Sequence, residues 1–188
     1  MRTAKTVLTV IQERGKQKKP IERVYKLLFN RELYLNAYAK LYPNNGAMTK
    51  GVTNETVDGM SIQKIDRMIE ILREEKYQWK PARREYIKKK NGKKRPLGIP
   101  VWGDKVLQEV MRQILEAYYE PQFSEHSHGF RPNRGCHTAL QEIQVWKGTR
   151  WFIEGDISQY FDTIDHKILL EILASNIHDG RFIRLVSN

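Results

Sequence analysis

Cysteine is almost absent from this chain. Cys136 is the only one in 188 residues, so no internal disulfide can form and a reducing compartment suits the protein. Long apolar runs are missing as well. No stretch approaches the length of a membrane span, and the start Met1-Arg2-Thr3-Ala4-Lys5 lacks the apolar centre of a secretory signal. No internal repeat is visible, and the low-complexity content is limited to short lysine clusters. Acids are in deficit: 22 Asp and Glu face 33 Lys and Arg, a net charge of +11 with a pI near 9.7. Such a balance calls for a polyanionic partner, either nucleic acid or an anionic membrane surface.

What is present is enough apolar content, 40%, for one large domain or two small ones. Residues 1–20 read as a basic arm in which Arg2, Lys5, Arg14, Lys16, Lys18 and Lys19 face one acid, Glu13. Val7, Leu8, Val10 and Ile11 fit a short docking helix, while Gly15 to Pro20 is expected to be mobile. The charge run reads equally as a solvated face or as an RNA contact. Pro20 then suits a helix start, with Ile21, Val24, Tyr25 and Leu28 at helical spacing. After Asn30 a second helix carries Leu33, Tyr34, Ala37, Tyr38 and Leu41, and Pro43-Asn44-Asn45-Gly46 ends it. The tyrosines at 25, 34, 38 and 42 favour packing over base stacking. Arg23, Lys26 and Arg31 fall on the opposite side, where phosphate contact is expected. A glycine-punctuated loop, Lys50 to Met60, leads to a helix capped by Ser61 with Ile62, Ile65, Met68, Ile69 and Leu72 on one stripe.

The next stretch is the most basic. Strand-like runs on either side of Asn91-Gly92 predict a hairpin over residues 83–100 with a two-residue turn. Lys88, Lys89, Lys90, Lys93, Lys94 and Arg95 place six cations within eight residues. A charged edge that prevents strand aggregation is the plain reading; beside a metal-binding acid the same hairpin would neutralise a triphosphate. Asp104 opens a helix through Val106, Leu107, Val110, Met111, Ile114, Leu115 and Tyr118, stopped by Pro121, with Gln108 and Arg112 along one edge. His126, His128, Cys136 and His137 fit no common zinc spacing, and zinc is not expected. Arg131 and Arg134, on a loop stiffened by Gly129 and Pro132, suit backbone or template contacts. Ala139, Leu140, Ile143 and Trp146 are expected to form the buried stripe of a further helix.

Residues 151–156 read as a strand, with Phe152, Glu154 and Asp156 on one face and Trp151, Ile153 and Ile157 on the other. Asp165 reads as the cap of the following helix. Asp156 is either a turn former or a carboxylate at a strand end that holds a divalent cation beside a phosphate.

Gly155-Asp156-Ile157, two variable residues, then Tyr160-Phe161-Asp162, Thr163, the aliphatic Ile164 and Asp165-His166 resemble motif A of the reverse transcriptase palm in its group II intron-encoded form. The string Asn91-Gly92-Lys93-Lys94-Arg95-Pro96-Leu97-Gly98-Ile99-Pro100 resembles the fingers hairpin of the same family. Phe123-Ser124 through Ser127, Gly129-Phe130-Arg131-Pro132 resembles another of its blocks, and Asn54 to Gly59 falls in a third. One departure is Ile87-Lys88-Lys89, where the family usually reads Ile-Pro-Lys, which puts the register of Lys89 in question.

The resemblance implies an α+β, mainly helical fold: a piece of the reverse transcriptase right hand with a small antiparallel hairpin. It divides the chain into the arm (1–20), a fingers region (21–148) and the start of the palm with motif A (149–188). Asp156 would supply one metal-binding carboxylate for Mg2+ in the complete enzyme, and the Ile157 backbone carbonyl a second ligand. Lys89 and Arg95 would grip the phosphates of the incoming dNTP, over Phe161 as a floor that excludes a 2′-hydroxyl. Asp162 reads as a structural hydrogen-bonder or cap. Group II intron RNA and the RNA template with its DNA primer would contact Lys16, Lys18, Lys19, Arg23, Lys26, Arg31, Lys93, Lys94, Arg131 and Arg134. No membrane partner is implied, and the expected location is the bacterial cytoplasm, with an organelle as the alternative.

The family's remaining palm acids lie in an aromatic-Ala-Asp-Asp motif that does not occur here. The expectation is therefore a fingers-plus-first-palm fragment, inactive by itself and prone to self-association through uncovered apolar surface. An RNA-binding splicing module without polymerase chemistry is the alternative; a retron or CRISPR-associated lineage fits the hairpin and Gly-Phe-Arg-Pro blocks less well.

Overall fold

The computed structural model describes residues 2–88, 92 and 94–188, with the side chain of Asp162 also left outside the description. Helix α1 (Ala4–Lys16) begins at Thr3, whose hydroxyl accepts from the Thr6 amide. Ala4, Ile11 and Gly15 are buried on one side of it. The expectation of mobility for 15–20 is not met. The Lys18 and Lys19 amides close back onto the Gly15 and Arg14 carbonyls at 2.9 and 3.0 Å. The Arg14 guanidinium holds the Pro20 carbonyl at 2.6 Å, and Tyr118 donates to the Lys19 carbonyl at 3.1 Å. A peptide segment whose carbonyls are claimed in this way is pinned to the core.

The helix expected from Pro20 does not form either. Ile21–Glu22 is a short strand, β1, followed by Arg23 in the left-handed region (φ 55°) and a 3-10 turn at Val24–Phe29. The spacing 21, 24, 25, 28 suits a 3-10 turn nearly as well as an α-helix, because both place i and i+3 together. Asn30 then caps α2 (Arg31–Leu41), accepting from the Glu32 amide at 3.0 Å. Tyr25 and Tyr34 are core residues whose hydroxyls donate to the Leu72 and Leu28 carbonyls, each at 2.8 Å; Tyr42 is exposed. As the sequence predicts, Ser61 caps α3 (Ile62–Arg73), which buries Ile65, Ile69 and Leu72.

Strands β2 (Arg83–Lys88) and β3 (Lys94–Ile99) form the antiparallel hairpin. Its register differs from the expected one. A two-residue Asn91-Gly92 turn would set Lys88 opposite Arg95; the strands instead pair Lys88 with Lys94 and Ile87 with Arg95. Asn91 itself lies outside the described residues. Helix α4 (Trp102–Tyr119) follows and is the centre of the fold. Its side chains Trp102, Val106, Leu107, Val110, Ile114 and Tyr118 are buried beneath α1 and α2. Its Asp104 is buried too, accepting from the Tyr77 hydroxyl at 2.6 Å and the Lys80 amide at 2.9 Å.

Beyond α4 the chain departs from the sequence reading. Helix α5 (Cys136–Gln144) forms, but none of its residues is buried, and Trp146 lies beyond its end. Leu140, Ile143 and Trp146 are exposed, so the expected buried stripe has no covering element among the described residues. The strand expected at 151–156 is absent, and Trp151 and Ile153 are 87% and 93% exposed. A strand needs a neighbour to take its amides and carbonyls, and no described segment pairs with this one. After α6 (Tyr160–Thr163), Asp165 caps α7 (His166–Asn176) as predicted, accepting from the Lys167 amide at 2.8 Å. Strand β4 (Ile177–His178) pairs in parallel with β1, bringing Ile21 against Ile177. Helix α8 (Gly180–Ser187) buries Phe182 and Leu185, and Asp179 at its cap also accepts from the Tyr25 amide at 2.9 Å. The chain is thus mainly helical with one small antiparallel sheet, an α+β architecture.

Candidate nucleic-acid interface

The hairpin stands clear of the core: from Arg84 to Gly98 every described residue is exposed. Directly opposed residues share a face of an antiparallel pair. Lys88 and Lys94 are therefore together on one face, and Arg95 is on the other beside Ile87. Two opposed ammonium groups repel one another unless an anion lies between them. Lys94 and Arg95 thus address different sides of the hairpin. Lys89 and Lys93, assigned to phosphate and RNA contact, lie outside the described residues. At the root, Arg83 donates to the Lys50 carbonyl at 3.0 Å and pairs with Glu85, so its charge is engaged.

Asp156, Ile157 and Phe161 occur in one local turn. Gln159 at φ 53° redirects the backbone into α6. Ile157 and Phe161 are exposed, the latter 78%, and Phe161 meets Tyr160 edge-on at 5.3 Å. Phe161 is therefore not a core residue. Asp156 is exposed, and no hydrogen bond or ion pair joins it to the hairpin among the described residues. No group of three His, Cys, Asp or Glu side chains is placed to hold a metal ion among the described residues. One carboxylate and one carbonyl do not make a two-ion centre, which needs bridging acids from more than one segment.

The basic residues assigned to RNA divide by how their charge is used. Lys18, Lys19, Arg23 and Lys26 are exposed; Lys16 pairs with Glu13 at 2.7 Å while remaining open to solvent. Arg31 is held by Asp66 in a two-pronged bond at 2.7 and 2.8 Å, a geometry that occupies one edge of its guanidinium. Arg131 is a correction. Its side chain is only 8% exposed. It donates to Glu120 at 2.8 Å and to the Ser124 and Ser127 carbonyls at 2.6 and 2.8 Å. Such a residue braces the 120–131 loop and has no donor edge left for a template. Arg134 pairs with the Glu125 carbonyl.

Several polar assemblies had no signal in the spacing. Glu142 on α5 takes both His126 and His128, the latter at 2.7 Å, and the His128 hydrogen bond leads the effects that hold the Glu142 carboxyl below its usual range. On α4, Glu109 is nearly buried. Burial would raise its pKa, but hydrogen bonds from Arg112 at 2.7 and 2.8 Å, with Lys40 at 3.3 Å, bring the net shift downward. Burial pushes the Tyr77 hydroxyl up, reinforced by its bond to Asp104. A short-range motif could announce only the Glu109/Arg112 pair, since i and i+3 meet on a helix.

The sequence comparisons agree with this layout. A family model described as "Reverse transcriptase (RNA-dependent DNA polymerase)" matches residues 87–185, a span that takes in most of the hairpin, α4 and the Asp156–Phe161 turn. The group II intron-encoded protein LtrA of Lactococcus lactis subsp. cremoris is 49% identical over 166 residues, 87% of this chain and 28% of that protein. The "Uncharacterized 91 kDa protein in cob intron" of Schizosaccharomyces pombe is 47% identical over 191 residues, covering 97% of the chain and 24% of the relative. The putative COX1/OXI3 intron 1 protein of Saccharomyces cerevisiae is 39% identical over 161 residues, 85% and 19% respectively. The chain thus spans less than a third of the length of these relatives. With an exposed basic hairpin and a motif A turn inside the span matched by the family model, which is more than half of the chain, and with intron-encoded proteins among its relatives, the chain belongs to the reverse transcriptase family.

Proposed function

We propose that these residues are the front part of an RNA-directed DNA polymerase encoded in a group II intron, which binds intron RNA and template-primer and also assists splicing and mobility. The observation that carries this reading is the hairpin, exposed at every described residue from Arg84 to Gly98, with Lys88 opposite Lys94. That pair is unfavourable alone and favourable with a polyanion between its members. Residues 1–20 form a basic N-terminal segment, 21–148 the fingers, and 149–188 the start of the palm.

In this reading Lys89 and Arg95 hold the triphosphate of the incoming dNTP, and Phe161 lies under its sugar. Asp156, with the carbonyl of Ile157, contributes one carboxylate and one carbonyl to a Mg2+ centre. The residues described do not complete that centre, so these 188 residues alone are expected not to extend a primer. Lys16, Lys18, Lys19, Arg23, Lys26, Lys94 and Arg134 follow RNA phosphates, and Lys93, outside the described residues, is assigned the same role; Arg31 does so in part, since one edge of its guanidinium serves Asp66. The setting is the bacterial cytoplasm, with an organelle as the alternative. No helix is long and apolar enough to cross a membrane among the described residues.

A second reading keeps the RNA grip and drops the chemistry, leaving a splicing module. Its support is that the cations of α1 and the hairpin need nothing from Asp156. Primer extension on an RNA template with magnesium separates the two readings, using the full-length protein, its Asp156→Ala variant and the present chain. Extension by the full-length protein alone, lost in the variant, is expected. Tight binding to intron RNA with no extension by any of the three would leave only the splicing module.

A further inference from the structure

Phe130 combines two unfavourable features. It is fully exposed, at 104%, and its backbone lies in the left-handed region at φ 56°. That region suits glycine, and a bulky side chain held there carries a steric cost. An aromatic ring left in water adds a second cost. Packing offsets neither, because the ring is not tucked into the core. The backbone beside it is nonetheless fixed. Arg131 binds Glu120 at 2.8 Å and the Ser124 and Ser127 carbonyls at 2.6 and 2.8 Å, and the Arg134 amide closes a turn onto the Arg131 carbonyl at 3.3 Å. A strained conformation that its surroundings enforce points to function.

Phe130 contributes to the lining of a cleft of about 710 Å³, together with Met111, Leu115, Tyr119 and Phe123. Two acids of that lining, Glu116 and Glu120, are countered by Arg112 and Arg131. Arg134, brought back by the turn, is half-buried, donates to the Glu125 carbonyl and makes no ion pair among the described residues. An apolar protein surface laid over the ring would bring this arginine under cover without a counter-charge. A nucleotide meets both side chains, with a flat ring for the phenyl face and a phosphate for the guanidinium.

We propose that Phe130 is a stacking platform for one unpaired base of an RNA strand, with Arg134 on the phosphate beside it. The proposal rests on the nucleic-acid reading above and adds a base contact to its phosphate contacts. Stacking on a phenyl ring calls for no particular base, since every base has a flat face. It does require a base free of its own helical stack, so the site selects single strands over duplex. A ring held in place by its backbone loses little freedom when a base settles on it, which favours binding.

The test measures binding of a fluorescein-labelled single-stranded oligo(rU) and of a blunt RNA duplex of equal length to this chain, by anisotropy at fixed salt. Phe130→Leu keeps apolar bulk and loses the aromatic face; it is expected to weaken the single strand about fivefold and to leave the duplex unchanged. Phe130→Trp is expected to keep the original affinity. Phe130→Asn should weaken the single strand about tenfold while holding or raising the urea midpoint, because asparagine tolerates the left-handed backbone. Full affinity in Phe130→Leu, a loss in Phe130→Trp as large as in Phe130→Leu, equal losses on strand and duplex, or a lower midpoint in Phe130→Asn each overturn the platform. Unchanged RNA affinity in Phe130→Asn with a lower weight-average mass would assign the ring to a protein contact instead. Lys94→Ala is measured alongside: its weakening of both RNAs without any Phe130 effect removes the platform alone, whereas no RNA binding by the unsubstituted chain removes the underlying reading as well.

Discussion

Gly15 of α1 lies so close to Tyr118 of α4 that a β-carbon on it would sit 2.1 Å from the Tyr118 carbonyl oxygen. The contact is between backbones, so no rotamer change can relieve it. Gly15→Ala is therefore expected to push α1 off α4 and to cost roughly 2 kcal/mol of stability, in the range of overpacked cores. Urea denaturation would show this as a lower midpoint with an unchanged slope. Gly46→Ala, where a β-carbon meets nothing within 4 Å, is the control and should leave the midpoint in place.

Glu109 gives the fold a dependence on acid. Its folded-state pKa is lowered by Arg112 and Lys40 against the effect of burial. A carboxyl shifted down on folding stabilises the native state above its unfolded pKa, about 4.3, and that contribution disappears as pH falls through the folded value. Both cations are substantially exposed, which limits the contribution to roughly 1 kcal/mol. Glu109→Gln should lower stability at pH 7 and flatten the loss between pH 5 and pH 3, values set by that carboxylate range. Equal acid sensitivity in the variant would assign the effect to other carboxylates.

Two arginines and a lysine distinguish structural cations from RNA-facing ones. Lys94→Ala is expected to weaken RNA binding across sequences and to reduce the salt slope of affinity by about one unit. Arg131→Ala is expected to leave that slope unchanged and to loosen the 120–131 loop, seen as faster amide exchange there. Arg31→Ala should fall between them, because Asp66 holds one edge of its guanidinium. A salt slope reduced as much by Arg131→Ala as by Lys94→Ala would return Arg131 to the interface.

The apolar side chains along α5, residues 145–161 and α7 are expected to drive self-association of this chain. Leu140, Trp146, Trp151, Ile153, Phe161 and Ile172 are all exposed, and an apolar surface of this kind favours a partner over water. Residues 136–176 hold six acids and three bases in a chain of net charge +11, so this segment attracts the basic remainder of a second copy. A weight-average mass that rises with concentration and falls with salt is expected from sedimentation equilibrium. A monomer throughout the micromolar range would sink the idea.

The helices read from the sequence survive where a local device starts them and a core side receives them. Ser61 and Asp165 cap as expected, and Asn30 caps as well, because a short polar side chain reaches its own helix amides without help from the rest of the chain. Helix α4 follows its apolar spacing with no side-chain cap, beginning at Trp102, two residues before the Asp104 expected to open it, because its apolar side is received by the core. The 151–156 strand and the buried side of α5 fail together, since each needs a partner surface that a sequence pattern can request but not supply. Arg131 was misread because its loop position suggested exposure, and Glu120, eleven residues earlier, turned it inward.

By itself the sequence determined the caps, the hairpin and the ordered blocks that carry the family, all properties of residues within about ten positions of one another. Only the tertiary structure decided the pairing of β1 with β4, the closure of α1 onto α4 through Gly15, and the hydrogen bonds from Tyr77 and the Lys80 amide to the buried Asp104. Local hydrogen bonds form wherever the right residues are neighbours in sequence. Contacts between distant segments depend on which surfaces remain to be covered once the local elements exist, and that is settled by packing.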